Sequence, residues 1–275
     1  MNCSENTQKY YRVNRLPHIW CPGCGHGTLL NAVVRAIDKE NLNKDEVVIV
    51  SGIGCSSRAP GYLDFNTLHT THGRALGFAT GLKLANPKLH VIVIMGDGDS
   101  SAIGGNHLIH AARRNIDITA VVFNNDIYGM TGGQYSPTTP YGDFATTAPY
   151  GNIDRPFDLC SLAQGAGATY VGRGTAYHVP LMQKLIEKGI ENKGFSFIEG
   201  LSICPTYYGR KNKKGSAFKM QSFLKDNCVD IKVAEKNSEK GKDKIIIGEF
   251  YNNPKPEYTE GYQVIIDKFQ KQGRD

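Results

Sequence analysis

The sequence predicts an α/β fold with a doubly wound, mostly parallel sheet and a C-terminal appendage. Three observations indicate it. Short β-branched runs alternate with helical patterns, glycine-rich polar segments follow three of those runs, and the composition turns lysine-rich after about residue 206. Repeated strand, loop and helix units form a sheet that is covered by helices on both faces.

The strands are predicted from nearly continuous apolar runs, as expected for parallel strands buried on both faces. They cover residues 47–50, 90–95, 118–123, 168–171 and 195–198. Helical spacing predicts helices over 25–40, 73–86, 102–114 and 178–192. Pro87 ends the second of these helices after Asn86.

The remaining segments divide the chain into two parts. With 275 residues, 40% hydrophobic, the chain can bury a large core. We expect a main domain over 1–205 and an extension over 206–275 that packs on the core or on a partner subunit. Within the extension, the pattern predicts a helix at 217–224, a strand at 244–250 and an amphipathic stretch at 262–272. Residues 130–154 show no periodicity, and a loop of that length is often functional.

Charge and hydropathy narrow the classes of partner. The net charge is +6, but the basic residues are spread along the chain except for the cluster at 210–214. That cluster is either a solvated loop or a contact for an anionic substrate group, coenzyme A phosphates or an acidic protein. We therefore expect no nucleic-acid partner. The sequence has no membrane-length apolar run and no hydrophobic signal segment at its N-terminus, so we expect a cytoplasmic protein.

Oxygen-bearing residues follow two of the predicted strands. Asp97 lies in a GDG run and Asn125 in an NN pair, 28 positions later. Since ligands of such sheets bind beyond the carboxyl ends of the strands, both side chains can reach one cation, and hard oxygen ligands suit Mg²⁺. The adjacent glycines allow a diphosphate to approach the backbone. A Rossmann fingerprint is the alternative, but it requires glycine where Ser101 stands.

Four cysteines form a second candidate metal site. Cys21 and Cys24 lie in CPGCG, Cys55 follows the first strand, and Cys204 follows a late strand. Four thiolates can hold a [4Fe–4S] cluster or a zinc ion, and the spacing does not choose between them. The position of Cys55, on the same loop edge as the GDG run, favours a redox centre beside a cofactor. The other cysteines, Cys3, Cys160 and Cys228, are interpreted as spares.

The GDG and NN segments resemble the thiamine-diphosphate-binding motif. That resemblance implies a thiamine-diphosphate-binding fold in which Asp97, the Asn125 side chain and the Ile127 carbonyl bind Mg²⁺. It also implies that the diphosphate lies against residues Gly98, Asp99, Gly129 and Met130, and that Gly96 is a further cofactor-binding residue.

A more specific resemblance runs from about residue 20 to 214. The segments WCPGCGHG, GIGCSSR, HTTHGRA, GDGDSSAIGG, NNDIYGMTGGQ and CPTYYGRKNK resemble the β subunit of 2-oxoacid:ferredoxin oxidoreductases. The resemblance implies one [4Fe–4S] cluster on Cys21, Cys24, Cys55 and Cys204. It further implies that Ile53, Gly54, Cys55, Ser56 and His72 lie near thiamine diphosphate.

Two residues are candidates for catalytic contacts. His72 is preferred to His69, although either can be a structural histidine, and Arg58 is a candidate for the substrate.

The resemblance also implies an activity, the coenzyme-A-dependent oxidative decarboxylation of a 2-oxoacid with electrons passed to ferredoxin. The segment CPTYYGRKNK favours 2-oxoglutarate, with pyruvate or branched 2-oxoacids as alternatives. An α subunit is expected to complete the site in an αβ or (αβ)₂ assembly, with or without further small subunits. Two other hypotheses remain: a cluster-free thiamine-diphosphate decarboxylase subunit, and a non-catalytic electron-transfer or assembly subunit.

Overall fold

The structure is a computed structural model and describes residues 8–272. An eight-stranded sheet forms its centre. In chain order the strands are β1 (Val47–Ser51), β2 (Asn66–His69), β3 (His90–Gly96), β4 (Ile118–Asn124), β7 (Tyr170–Thr175), β8 (Phe195–Leu201), β9 (Cys228–Asp230) and β10 (Ile245–Asn252). A separate two-stranded hairpin joins β5 (Ile127–Tyr128) to β6 (Gln134–Tyr135).

The sheet order is β2-β1-β3-β4-β8-β7-β10-β9, and every neighbouring pair is parallel except β7 with β10. The predicted doubly wound, mostly parallel sheet is therefore confirmed. The chain runs from β1 outward to β2 and then returns to β3 on the other side of β1. This reversal creates a switch point between β1 and β3, where ligands bind in folds of this kind.

Helices cover both faces of the sheet. The main ones are α1 (His26–Lys39), α3 (Ala75–Ala85), α5 (Gly105–Arg114), α6 (Leu159–Ala166), α7 (Val179–Glu191), α8 (Ala217–Asn227) and α11 (Tyr258–Gln272). Shorter ones are α2 (Ala59–Tyr62), α4 (Asp97–Ser101), α9 (Ile231–Lys236) and α10 (Ser238–Gly241). Helices α1 and α7 pack on one face, and α3, α5 and α6 pack on the other.

Alternating side chains of each strand supply the two cores. In β3, Ile92 and Ile94 face the α1 side, whereas Val91 and Val93 face the α3 side. This period of two explains why the central strands are apolar throughout, since each successive side chain enters one core or the other.

The extension shares the main sheet rather than standing apart from it. Strand β10 pairs with β7, and β9 pairs with β10. The separation of 206–275 from the main domain stays a prediction. In the described part of the chain, each helix is too short or too polar to span a lipid bilayer.

Candidate cofactor and thiol site

The loops after β1, β3 and β4 meet in one pocket at the switch point, with about 520 Å³ of space not filled by atoms. All the residues expected against thiamine diphosphate or Mg²⁺ line it: Ile53, Gly54, Cys55, Ser56, His72, Gly96, Asp97, Gly98, Asp99, Asn125, Ile127, Gly129 and Met130. Segments separated by more than 70 residues are thus brought to one edge of the sheet. Their roles as ligands stay predictions.

Asp97 is a buried carboxylate held in one orientation. Its Oδ2 accepts hydrogen bonds from Ser136 Oγ at 2.5 Å and Thr138 Oγ1 at 2.9 Å. Burial raises the pKa of Asp97 to about 6, and the two hydroxyls act in the opposite direction. A buried carboxylate that is hard to ionise is suited to a cation, which would compensate the cost of its charge.

Asn125 and Ile127 complete the candidate Mg²⁺ site. Both are buried and line the same pocket as Asp97. Between them, Asp126 adopts a left-handed backbone conformation with φ of 60°. That turn lies between two residues that line the pocket, one with an amide side chain and one with a backbone carbonyl, and both groups carry an oxygen of the kind Mg²⁺ binds.

Asp99 joins three loops around the pocket. Its Oδ1 accepts from the backbone N–H groups of Gly73 at 2.6 Å and Ile53 at 3.3 Å, and lies 2.9 Å from His72 Nδ1. Burial raises the pKa of Asp99. A Cβ atom at Gly52 would lie 2.1 Å from Asp99 Oδ2, so only glycine permits this approach.

Several buried polar atoms in the pocket have no hydrogen-bond partner within residues 8–272. They are Ser56 Oγ, Asp99 Oδ2, His26 Nδ1 and His72 Nδ1. Native proteins rarely leave such atoms unpaired. The pocket therefore has the unsatisfied donors and acceptors that a polar, metal-bound cofactor would use.

The four predicted thiols lie beside this pocket. A Cβ atom at Gly129 would lie 3.4 Å from Cys55 Sγ and 3.5 Å from Cys204 Sγ. The same Cβ atom would lie 3.8 Å from Asn125 Nδ2. Burial raises the pKa of Cys55 to about 11, with further increases from Cys204, Cys24 and Cys21.

The thiol loops are fixed by surrounding polar groups. Cys21 is exposed and accepts a hydrogen bond from Thr206 Oγ1 at 3.2 Å, whereas Cys24 and Cys204 are buried. Trp20 Nε1 donates to the Cys55 carbonyl at 2.6 Å. Among the described residues, no three His, Cys, Asp or Glu side chains are close enough to hold a single metal ion.

Comparison with known proteins places this pocket in a family. Residues 52–200 match the model of the thiamine pyrophosphate enzyme C-terminal TPP binding domain. The chain is 53% identical over 270 residues to 2-oxoglutarate synthase subunit KorB of Methanothermobacter marburgensis, covering 98% of this chain and 95% of that protein. It is 47% identical over 190 residues to the 2-oxoacid:ferredoxin oxidoreductase β subunit of Saccharolobus solfataricus, covering 68% and 62%.

The chain belongs to the family of 2-oxoacid:ferredoxin oxidoreductase β subunits. A solved structure of the 2-oxoglutarate:ferredoxin oxidoreductase from Magnetococcus marinus, with 2-oxoglutarate, coenzyme A and succinyl-CoA bound, matches with a TM-score of 0.86 and 34% identity. The match covers 96% of this chain and 90% of that one. The predicted family, fold and oxidoreductase class are confirmed.

Some predicted residues lie outside the pocket of this β subunit. Arg58 is exposed and does not line the pocket, and His69 is exposed at the end of β2. Cys160 is buried against Glu199, and Cys228 lies in β9. Cys3 lies outside the described residues.

Sequence reasoning missed several residues of the site. Ser136 and Thr138 come from the aperiodic segment 130–154, where no pattern marks a hydroxyl that faces Asp97. Tyr128 donates to the Gly98 carbonyl at 3.2 Å, and its ring meets His72 edge-on at 5.9 Å. Only the adjacency of Tyr128 to the NN pair could have indicated this role.

Proposed function

We propose that this oxidoreductase subunit acts on 2-oxoglutarate, binds thiamine diphosphate with Mg²⁺ and holds one [4Fe–4S] cluster. The observation that carries the proposal is the position of Gly129, where a Cβ atom would lie 3.4 Å from Cys55 Sγ, 3.5 Å from Cys204 Sγ and 3.8 Å from Asn125 Nδ2. Two of the thiols thus lie within a few ångströms of a candidate Mg²⁺ ligand, and such proximity favours electron transfer between a cofactor and a cluster.

The oxygen set fits a diphosphate-bound Mg²⁺ ion. Asp97 and Asn125 supply side-chain oxygens, and Ile127 supplies its carbonyl, while the glycines at 96 and 98 leave the backbone open to phosphate oxygens. Thiamine diphosphate, when bound, supplies the nucleophilic carbon and the electron sink for loss of CO₂. His72, whose Nδ1 lies 2.9 Å from Asp99 Oδ1, lines the same pocket.

The thiol set supports a cluster more than a zinc ion. Zinc binds four thiolates at about 2.3 Å each, which draws the sulfurs into direct contact. In the part of the chain that the structure describes, no three such ligand side chains are grouped around one metal-ion position. In a four-iron cluster each iron takes one thiolate, so ligands from separate loops around a larger centre fit the arrangement of Cys21, Cys24, Cys55 and Cys204.

The preference for 2-oxoglutarate rests on the relatives and on the basic cluster 210–214. That cluster directly follows the π-helical turn Pro205–Gly209, which begins after Cys204. Lys214 is engaged by Asp143 at 3.5 Å, while Arg210 and Lys211 are exposed. The exposed cations are available to pair with the second carboxylate of the substrate or with a partner.

The complex requires an α subunit, which the subunit name of the relatives implies. Ferredoxin as acceptor, coenzyme A as acyl acceptor and an αβ or (αβ)₂ assembly form part of the proposal. A cytoplasmic location is also proposed, because the six described cysteines are free thiols.

The test is anaerobic co-purification with the α subunit, followed by assay of coenzyme-A-dependent viologen reduction. We expect reduction with 2-oxoglutarate to exceed that with pyruvate and 2-oxoisovalerate, and iron and sulfide to be present at about four each per β subunit. Equal rates with pyruvate would refute the substrate. A colourless, active complex would instead support the cluster-free decarboxylase.

A further inference from the structure

A chain of buried hydrogen bonds leads from Asp97 into the sheet. Thr138 Oγ1 lies 2.9 Å from Asp97 Oδ2 and 3.1 Å from Asn124 Oδ1. Asn124 Nδ2 in turn donates to Glu199 Oε1 at 2.8 Å. All four residues are at most 5% exposed, so water cannot replace the contacts between them.

Asn124 controls the turn that carries the candidate Mg²⁺ ligands. The backbone N–H of Asp126 donates to Asn124 Oδ1 at 3.0 Å. The left-handed conformation of Asp126 therefore has a side-chain acceptor at its start. The same oxygen also lies within reach of the Thr138 hydroxyl that orients Asp97. The Asn124 amide oxygen thus contacts both the turn at residues 125–127 and the hydroxyl group that orients Asp97.

Glu199 determines which way the Asn124 amide faces. A carboxylate only accepts hydrogen bonds, so the NH₂ group of Asn124 must face Glu199 and its oxygen must face the turn. The other carboxylate oxygen, Oε2, accepts from Arg173 Nε at 2.6 Å. Arg173 also donates to Asp158 Oδ1 at 2.7 Å, near the surface.

Stability alone does not account for this arrangement. Buried ion pairs can often be replaced by packed apolar groups with little loss, because desolvation cancels much of their attraction. Glu199 is the one charged residue of strand β8, which lies directly beside the strand that ends at Asn124. Its carboxylate is directed at the one side chain that sets the geometry of the metal turn.

We propose that Glu199 is a positioning residue for the cofactor metal. By holding the Asn124 amide it fixes the turn at residues 125–127 and the hydroxyl on Asp97. The inference rests on the proposed function, because the metal is the Mg²⁺ ion of thiamine diphosphate. A substitution at Glu199 that preserves the fold but turns the Asn124 amide should therefore weaken the metal-dependent binding of the cofactor.

The experiment uses the anaerobically purified αβ complex with the Glu199→Gln substitution. The glutamine oxygen stays with Arg173, so its NH₂ group faces the NH₂ group of Asn124. We expect the Mg²⁺ concentration for half-maximal binding of thiamine diphosphate to rise about tenfold or more, as for other residues that orient metal ligands. Titration calorimetry measures this, and the electron paramagnetic resonance of bound Mn²⁺ provides a readout independent of turnover.

Two further variants separate positioning from stability. The double variant Asn124→Asp with Glu199→Gln restores the hydrogen bond with donor and acceptor exchanged, since the amide now stands at position 199 and the carboxylate at 124. Its Mg²⁺ requirement should return to within about threefold of the wild type. Asp158→Asn removes the outer ion pair to Arg173 and keeps a good N-cap for α6. It should lower the thermal midpoint without changing the Mg²⁺ requirement.

The outcomes are distinguishable. A wild-type complex that binds no thiamine diphosphate with Mg²⁺ overturns the proposed function and the inference with it. A wild-type complex that binds normally, beside a Glu199→Gln complex that is less stable but has an unchanged Mg²⁺ requirement, overturns the inference alone. If the single variant does not fold, a folded double variant whose Mg²⁺ requirement stays raised more than tenfold also overturns it.

Discussion

Replacing Asp97 with asparagine should stabilise the metal-free protein and abolish its stabilisation by cofactor. Burial raises the pKa of Asp97 from 3.8 to about 6. The native state therefore holds the proton more tightly than the unfolded chain, and the unfolding free energy falls as pH rises from about 4 to 6. Above pH 6 the native state has lost all of the stabilisation that the tightly held Asp97 proton provides. That stabilisation is about 3 kcal/mol, at ~1.36 kcal/mol per pH unit of pKa shift.

Asparagine removes this loss because it does not ionise, while its oxygen can still accept from Ser136 and Thr138. At pH 7.5 the metal-free Asp97→Asn complex should therefore unfold at a higher temperature, by roughly 5–10 °C. Wild type should gain about 2.7 kcal/mol from Mg²⁺ and thiamine diphosphate at 100 times the dissociation constant. The variant should gain almost nothing, since it lacks the carboxylate ligand.

Thermal unfolding of both complexes, with and without Mg²⁺ and thiamine diphosphate, measures the two effects. Asp126→Asn is the matched control. Burial and the charges of Asp97 and Glu199 raise the pKa of Asp126 to about 8, so this variant should also stabilise the metal-free protein, yet it should keep the cofactor-induced shift. A metal-free Asp97→Asn complex less stable than wild type, or one with an intact cofactor shift, would refute the reasoning.

Three other predictions follow from contacts described above or in the same core. Cys55→Ser should lose visible absorbance and most of the bound iron. Cys160 is a buried thiol outside the set of four, so Cys160→Ser should keep both. Iron loss in Cys160→Ser would contradict the ligand assignment. Asn115→Ala should lower the unfolding free energy by about 2–4 kcal/mol in denaturant titration, because the Asn115 amide forms hydrogen bonds with four groups on three segments. A loss under about 1 kcal/mol would count against this role. Burial lowers the pKa of His26 to about 4, so His26 by itself should contribute a loss of about 3 kcal/mol of stability between pH 6.5 and 4, opposite in sign to the Asp97 contribution, as the unfolded histidine takes up a proton. His26→Gln should flatten that acid dependence, and an unchanged slope would exclude His26 as its source.

The central strands and their helices were predictable because burial on both faces leaves a continuous apolar run. Strand β2 was missed, since none of its residues NTLH is buried and most are polar at the sheet edge. Strand β7 was expected at 168–171 but spans Tyr170–Thr175, because two glycines interrupt the β-branched pattern. The segment 130–154 contains part of a short hairpin, which pairs only two residues of each strand and leaves no periodic signal.

The site was predictable to the extent that chemistry lies in local motifs. Asp97 and Asn125 stand in recognisable runs, so the pocket could be assembled from strand order alone. Thr138 and Glu199 could not be assigned. One lies in an irregular segment, and the other lies in a strand whose apolar neighbours suggest only core packing. Their roles depend on which atoms they meet across the sheet, and single-sequence patterns do not encode those contacts.

The four thiols also have a consequence for the chain as a polymer. They come from residues 21, 24, 55 and 204, so a centre bound to all of them would link residues that are 183 positions apart in the chain. Closing such a loop removes conformations that the unfolded chain would otherwise explore. Oxidative loss of the proposed cluster would thus remove the covalent link between the N-terminal segment and the end of β8. Faster proteolysis near Cys21 would then detect the loss of the cluster without an activity assay.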